Sequence, residues 1–366
     1  MHAGAEYEEG TDRASVLDLG AAGRAASRIS TTEIIDSFAA LESLRAEWAG
    51  LRRRAAVNSP FQSPEWLLSW WPCLGSGELF TVCVRQSGRL VGLAPMFILW
   101  WNGRRQVTFI GNGVTDQLGF IVDRACAREA AMAILEAIAE QRERWDLCDL
   151  QDLPPSAVLA RMSPPAPLCY ERRDQYVCCS VPLPGSTEEF AANLPHGLRR
   201  NLRRYREKLE QCGRVTFETS DDKSVTEHIE ALMHLHRERW RAKCDSDGML
   251  GADNIERFHR TAALALYRAK VARLHALRLD GRIVASVYAL LEGERACSYL
   301  GGFDPALEAF SPGSLILDYA MRQSIAEGAR EFDFLRGEEP YKLAWGAQRC
   351  RSWRLLLWHN EDHRPA

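Results

Sequence analysis

The strongest constraint on the fold is a hairpin signal in the last third of the chain. Two apolar segments rich in β-branched residues, 271–279 and 283–291, flank the dipeptide Asp280-Gly281. This dipeptide favours a two-residue turn between antiparallel strands. A third strand is predicted over 295–301, after a short turn. The pattern therefore predicts an α/β (α+β) unit built on antiparallel strands.

The segment after this third strand is a candidate anion site. A loop ends in Ser311-Pro312-Gly313-Ser314, a helix-patterned segment continues to Glu327, and 330–335 reads as another strand. The first turn of a helix presents unpaired N–H groups and the positive end of the helix dipole. A phosphate could thus be held by the backbone N–H groups of Gly313, Ser314 and Leu315. The alternative is a well-capped crossover helix that binds no ligand.

An internal repeat indicates that this unit occurs twice. Gly88-Arg89-Leu90-Val91-Gly92 matches Gly281-Arg282-Ile283-Val284-Ala285, and each segment opens a second strand after a turn. Each is followed by a strand that ends in glycine, at Ile110-Gly111 and at Leu300-Gly301. Self-similarity of this kind predicts two related α/β units.

The length of 366 residues also suggests two domains of ordinary size. Residues 1–30 show no sustained pattern and are predicted to be a disordered tail. The first domain is predicted to span 31–184 and the second 185–366. Within the first, a helix is expected from Thr31 to Arg54, and a long strand from Leu90 to Trp100.

Composition excludes several classes of protein. The net charge of −3 argues against a DNA-binding protein. Eleven cysteines without a Cys-x-x-Cys pair indicate reduced thiols rather than a disulfide framework or a metal site, and so a cytoplasmic enzyme. No apolar run approaches membrane-spanning length, and the N-terminus lacks a signal-peptide hydrophobic region.

The most basic stretch, 198–212, is predicted to be a helix. Arg199, Arg203 and Arg206 recur at helical intervals and share one face, while Arg200 and Arg204 form a neighbouring row. This pattern is typical of a solvated helix face. It also suits a clamp for the phosphates of CoA, a nucleotide-sugar lipid or tRNA.

Two carboxylates are candidates for general base. Asp116 ends the Gly-rich loop 111–116, where an Asp is also a common turn residue. Asp333 lies between Phe332 and Phe334 on a predicted strand. It is either a general base or a buried partner of Arg336, and the structural role is favoured. The sequence contains no Gly-x-Ser-x-Gly motif, so a covalent acyl-enzyme on serine is not indicated.

Segments spread over the C-terminal half carry a family resemblance. They are Leu235–Trp240, Gly281–Ala285, Ser311–Gly313, Phe332–Gly337 and Tyr341–Gly346. In this order they resemble the acyl-CoA-binding half of GNAT acetyltransferases, and more narrowly the BioF2-like or cellulose-biosynthesis CelD-type family. That family is similar to the Fem-type aminoacyltransferases, which consist of two GNAT-like domains. One departure concerns the GNAT pyrophosphate loop, Gln/Arg-x-x-Gly-x-Gly/Ala. The corresponding stretch is Glu308–Gly313, where only the last glycine fits.

The resemblance implies a tandem GNAT-like fold and an acyltransferase that uses acetyl-CoA or another acyl-CoA, with no metal. Tyr341-Lys342 corresponds to the Phe-Lys pair of the Fem-type enzymes, whose lysine lies in the active cleft. The Fem-type likeness also favours Asp116 as a residue of the substrate cleft. A cleft between the domains, lined by Asp116 and Lys342, is therefore expected. Without the resemblance, Lys342 reads as an exposed lysine on a short helix.

Three functions follow from these features. The first is acyl transfer to an amine or hydroxyl of a small-molecule or saccharide acceptor, with exopolysaccharide or cellulose production as the implied setting. The second is aminoacyl transfer from charged tRNA, which the basic helix favours. The third is a non-catalytic GNAT-like scaffold for polysaccharide synthesis, which the altered pyrophosphate loop favours.

Overall fold

The computed structural model describes residues 31–244 and 246–360. In it the chain forms two α/β halves. The predicted tail, 1–30, lies outside the described residues. The elements of the N-terminal half are β1 (Thr31–Ile35), α1 (Phe38–Ser43), α2 (Arg45–Arg52), α3 (Pro64–Leu74), β2 (Glu78–Leu79), β3 (Thr81–Gln86), β4 (Arg89–Ala94), β5 (Met96–Trp101), β6 (Arg104–Phe109), β7 (Ile121–Val122), α4 (Ala127–Glu140), β8 (Leu147–Leu153) and β9 (Leu168–Pro182). Those of the C-terminal half are α5 (Thr187–Asn193), α6 (His196–Glu210), β10 (Val215–Thr219), α7 (Val225–Cys244), α8 (Asp253–Arg268), β11 (Ala272–Leu279), β12 (Arg282–Glu292), β13 (Arg295–Phe303), α9 (Pro312–Ala326), β14 (Glu331–Arg336), α10 (Pro340–Ala344) and β15 (Gln348–His359).

The internal repeat is confirmed. The hairpins β3–β4 and β11–β12 turn at Ser87-Gly88 and Asp280-Gly281, and all four residues have positive φ, at 50°, 79°, 49° and 84°. Two successive positive φ values are the mark of a type I′ turn, whose twist matches that of the strands. In each half a helix then connects two parallel strands. These are β6 and β8 across α4, and β13 and β14 across α9.

The two halves exchange strands at their junction. β9 follows β8 in the chain but pairs with β14, while the last strand, β15, pairs with both β9 and β8. Among the described residues an eleven-stranded sheet therefore runs through both halves, and β1, β3, β4 and β7 form a separate four-stranded sheet. Arg354 of β15 donates from Nε and Nη2 to the buried carboxylate of Asp149 of β8, both at 2.7 Å.

Two predictions in the N-terminal half were wrong. The helix expected over 31–54 begins instead as strand β1, because its β-branched residues pair with β3, and Ser37 caps α1 only after that strand. The strand expected from Leu90 to Trp100 is split at Pro95, which has no N–H to donate to a ladder. β4 and β5 consequently enter different sheets.

A shared aromatic cluster fixes the first half against the second. Trp66 of α3 is fully buried, and its ring centroid lies 4.9 Å from that of Phe258 and 5.0 Å from that of Tyr299. Its indole N–H donates to Thr115 Oγ1 at 2.9 Å, which anchors the loop after β6. Removing such a side chain typically destabilises a protein by about 3–5 kcal/mol. The position of the loop that carries Asp116 therefore depends on this core.

Candidate active site

The sheet opens between β13 and β14. These parallel strands pair only from Arg295 with Glu331 to Cys297 with Asp333, although both continue beyond these residues. The register between β12 and β13 also shifts just after Ser298, which leaves Tyr299 as an extra residue on β13. A bulge and the end of pairing both free backbone groups for other partners. Beyond Cys297 and Asp333 the two strands therefore have no backbone pairing with each other.

A loop from the N-terminal half contacts both sides of this opening. Val114 O accepts a hydrogen bond from the Tyr299 hydroxyl of β13 at 2.6 Å. Thr115 O accepts one from Arg336 of β14 at 2.7 Å. Gly111 and Gly113 have φ of 101° and 93°, a region that favours glycine, so the Gly-rich sequence allows the turn that the loop makes here. The loop carrying Asp116 is thus held at the opening by both halves.

Arg336 is the centre of the charged groups at this junction. Its Nε donates to Asp116 Oδ1 at 2.8 Å, and its Nη2 lies 3.2 Å from Asp152 Oδ1. The guanidinium also stacks over the ring of Tyr176, at 4.3 Å from the centroid. The Arg336 guanidinium therefore lies between two carboxylates, with Lys342 near Asp116 and Arg354 near Asp152 as further positive charges.

The pKa shifts follow from this arrangement. Burial raises the pKa of Asp116 above its usual range, and the neighbouring Arg336 opposes that rise. Burial raises the pKa of Asp152 to about 7, again against the attraction of Arg336. A carboxyl with a pKa near neutral can both take up and release a proton under ordinary conditions.

Asp152 was missed in the sequence. Its Oδ1 is buried with no hydrogen-bond partner, despite its distance of 3.2 Å from Arg336 Nη2, and its φ is 59°. Leu335, beside Arg336, has a φ of 61°, which is rare for a bulky side chain. Such strained residues cluster at functional sites. The available signal was the occurrence of Asp149 and Asp152 between the leucines of strand β8.

Asp333 is held by partners on three sides. Its Oδ2 accepts hydrogen bonds from Arg295 at 2.6 Å and from Gln117 at 2.8 Å, and its Oδ1 accepts the Leu335 N–H at 2.7 Å. Burial raises its pKa, and Arg295 opposes the rise. The partner expected from the sequence, Arg336, binds Asp116 instead. Asp333 ties β14 to β13 and to the loop of the first half.

Lys342 and Tyr341 lie on α10, directly after this strand. Lys342 is buried, and its Nζ donates to the carbonyl oxygens of Arg336 at 2.5 Å and of Gly337 at 3.1 Å. The interpretation as an exposed lysine was therefore wrong. Asp116 accepts a hydrogen bond from the side chain of Arg336, and Lys342 donates one to the carbonyl oxygen of the same residue. Both members of the predicted pair therefore contact Arg336. Tyr341 is 42% exposed, and partial burial raises its pKa to about 12.

The start of α9 presents fewer free amides than the sequence indicated. Ser311 has a left-handed φ of 48°, and Pro312 opens the helix without an N–H. The amides of Ser314 and Leu315 both donate to Ser311 O, at 3.0 and 3.3 Å. Two of the three amides predicted to hold a phosphate are thus used within the helix. The Gly313 N–H is the first-turn donor best placed for an anion.

A cleft of about 340 Å³ lies between α6 and α9. Arg199, Arg203 and Arg206 of α6 line one side, and Leu315 and Tyr319 of α9 line the other. The two arginines predicted to bind a cofactor and one of the predicted amide residues therefore converge on a single cleft. It runs from the first turn of α9 along the helix.

The cleft is cationic at its rim and apolar within. Arg203 and Arg206 form ion pairs with Glu207 and Glu210, at 3.4 and 2.9 Å, and these side chains are exposed. Exposed pairs of this kind contribute little free energy, so the guanidinium groups can turn towards a phosphate. Inside the cleft Phe217 stacks on Tyr319, with centroids 5.4 Å apart. The combination suits a ligand with both phosphates and an apolar part.

Within 31–244 and 246–360 no group of three or more His, Cys, Asp or Glu side chains is arranged to hold a metal ion. Over the same residues no helix is long and apolar enough to cross a membrane.

Comparison with protein families identifies the domain that contains the opening. Residues 196–343 match the family described as acetyltransferase (GNAT) domain. This interval begins at α6, includes the opening between β13 and β14, and ends within α10. Over these residues the C-terminal half is therefore similar to a GNAT acetyltransferase domain. No curated protein matches the chain in sequence.

Solved structures extend the likeness to both halves. FemX superposes with a TM-score of 0.64 at 13% identity, over 89% of this chain and 97% of that chain. The C-terminal domain of a putative lysylphosphatidylglycerol synthetase from Agrobacterium fabrum gives 0.56 at 13% identity, over 87% and 92%. L-PGS from Bacillus licheniformis gives 0.53 at 12% identity, over 87% and 93%. At identities this low the superpositions establish the fold alone. The predicted fold of two GNAT-like units in tandem is confirmed.

Proposed function

We propose that this protein is an acyltransferase that moves an acyl group, acetyl in the simplest case, from acyl-CoA to an amine or hydroxyl acceptor. The observation that carries the proposal is the opening between β13 and β14 within the GNAT domain. There the two strands stop pairing beside the buried carboxylates of Asp116 and Asp152. The cationic cleft begins at the first turn of α9, the helix that follows β13.

The donor would bind along α9. The Gly313 N–H and the positive end of the helix dipole would hold the diphosphate, and Arg199 and Arg203 would contact the phosphates from α6. These arginines explain how an acyl-CoA site can work without the usual glycine-rich loop. Guanidinium groups supply positive charge where the Glu308–Gly313 stretch lacks free amides.

The acyl group would enter the opening. A backbone N–H at the Tyr299 bulge would polarise the thioester carbonyl. The lone pair of the acceptor then forms a bond to the carbonyl carbon, the C–S bond breaks, and the acceptor proton passes to a carboxylate.

Asp116 is the proposed base, because its side chain is 12% exposed whereas that of Asp152 is 3% exposed. Asp152 would influence the protonation of Asp116 electrostatically, because both carboxylates face Arg336. Tyr341, protonated at neutral pH, is the candidate acid for the leaving thiolate.

Binding of the donor tests this arrangement directly. Isothermal titration calorimetry with CoA and acetyl-CoA should show one site per chain. Arg203→Glu should weaken it at least about tenfold, because a cation that contacts phosphate becomes an anion. Arg200→Glu is the matched control, since Arg200 is an exposed neighbour on α6 that does not line the cleft. Equal affinity in wild type and Arg203→Glu would contradict the proposed donor site.

The acceptor is proposed to be a saccharide or another small molecule. The CelD-type sequence resemblance supports a saccharide and a role in exopolysaccharide or cellulose production. A cytoplasmic location, inferred from the cysteine usage, belongs to the same proposal. Assays with amino sugars and polysaccharide fragments as acceptors test it. Incorporation of label from acetyl-CoA into none of them would leave the saccharide class unsupported.

Aminoacyl transfer from charged tRNA is the second candidate. It is favoured by the exposed row of Arg200 and Arg204 on α6, which lies outside the cleft and could contact a long polyanion. Transfer that requires aminoacyl-tRNA and is abolished by ribonuclease would establish it. Tight CoA binding without turnover on any acceptor would instead indicate the non-catalytic scaffold.

A further inference from the structure

Two cysteines face each other across the strands that join the halves. Cys350 of β15 is the direct register partner of Cys178 of β9 in an antiparallel pair. Such partners lie on the same face with Cα atoms about 4.5–5.5 Å apart, which is within the separation that disulfides span. Cys179 is next in the chain and points to the other face, where it is fully buried.

The two thiols are not equivalent. Cys178 is buried, whereas Cys350 is partly exposed. A hydrogen bond from Cys178 lowers the pKa of Cys350, and the same bond raises the pKa of Cys178. The more accessible sulfur therefore has more thiolate character, and a second thiol stands beside it. This is the arrangement of a redox-sensitive cysteine with its resolving partner.

We propose that Cys178 and Cys350 form a reversible disulfide site that responds to peroxides. The Cys350 thiolate attacks one peroxide oxygen, the O–O bond breaks, and a sulfenic acid forms. The Cys178 sulfur then attacks the Cys350 sulfur, the S–O bond breaks and water leaves. Overall two thiols are oxidised by two electrons and hydrogen peroxide is reduced to two waters. A dithiol reductant reverses the reaction by thiol–disulfide exchange.

The disulfide would lie next to the charged cluster. On its other side Cys178 is the register partner of Arg336 of β14. The cross-link would join β9 to β15 and close a loop that contains the whole GNAT domain match, 196–343. Closing a long loop restricts the unfolded chain. Oxidation is therefore expected to raise the melting temperature while the sheet is retained.

Peptide mapping of the full-length protein tests the site. The protein is treated with a small excess of hydrogen peroxide, remaining thiols are blocked with N-ethylmaleimide, and disulfide-linked peptides are identified by mass spectrometry. The expected product has a mass lower by about 2 Da, joins the Cys350 peptide to the peptide containing Cys178, and is reversed by dithiothreitol.

Variants decide which sulfur is involved, because Cys178 and Cys179 share a peptide. Cys179→Ser should keep the link, whereas Cys178→Ser and Cys350→Ser should lose it. A bond between Cys178 and Cys179, or persistence of the link in Cys178→Ser, would overturn the proposal. Absence of any link in the oxidised wild type would also overturn it, and that result does not depend on the folding of a variant.

Discussion

Replacing Asp152 by Asn should make the stability of the protein less dependent on pH. Burial raises the pKa of this carboxyl in the folded state from the ordinary value of 3.8 to about 7. The folded state therefore keeps a proton that the unfolded chain has lost between about pH 4 and pH 7. Its contribution to stability is most favourable below pH 4, falls as the pH rises through this window, and is constant above it.

The magnitude follows from the displacement of the pKa. Ionising Asp152 in place should destabilise the folded state by up to about 4 kcal/mol, of which about 2–3 kcal/mol develops between pH 5 and pH 8. Asn has nearly the same shape, tolerates the φ of 59°, and carries no charge at either pH. In Asp152→Asn the free energy of unfolding should therefore not show this fall between pH 5 and pH 8.

Urea unfolding at pH 5 and pH 8 measures the difference. The free energy of unfolding of the wild type should fall by about 2–3 kcal/mol more than that of Asp152→Asn over this interval. Asp174→Asn, which removes an exposed carboxylate on β9, controls for the loss of one charge and should follow the wild type. Parallel changes in wild type and Asp152→Asn would refute the reasoning.

Three further predictions concern the donor, the base and the end of β14. Gly313→Val should weaken CoA binding in calorimetry, because the new side chain crowds the amide proposed to hold the diphosphate, and its Cβ would lie 3.3 Å from the Phe303 ring. Unchanged affinity in the folded variant would contradict the proposed donor site. Asp116→Asn should lower kcat by about 10²-fold or more with little change in melting temperature, and full activity would exclude the base role. Lys342→Ala should leave two backbone carbonyls without their donor and lower the free energy of unfolding by about 1–3 kcal/mol in urea titrations, whereas a neutral effect would mean that the buried Lys342 is not structural.

Local turn chemistry made the repeated unit predictable from the sequence. Asp280-Gly281 and Ser87-Gly88 need positive φ, and both became the predicted hairpin turns. The first strand was not predictable in the same way. The apolar positions at helical spacing began at Ile34, within this strand, and pairing with β3, which is distant in sequence, made Thr31–Ile35 a strand.

The site was predictable only where one residue suffices to indicate a role. Asp116 in a Gly-rich loop could be singled out, but its partner Arg336 is 220 residues away and its competitor Asp152 lies on another strand. The strand exchange that brings them together depends on the pairing of β9 with β14, which no local pattern encodes. The convergence of Arg199, Arg203 and Leu315 likewise arises from helix packing.

Acceptor-dependent release of CoA from acetyl-CoA is the most direct test of the central claim. Thiol release would be followed with a panel of amines, amino sugars and polysaccharide fragments, in parallel with Asp116→Asn and Arg203→Glu. We expect release that requires one class of acceptor and is strongly reduced in both variants. Saturable CoA binding with no release on any acceptor, or transfer that proceeds only from aminoacyl-tRNA, would contradict it.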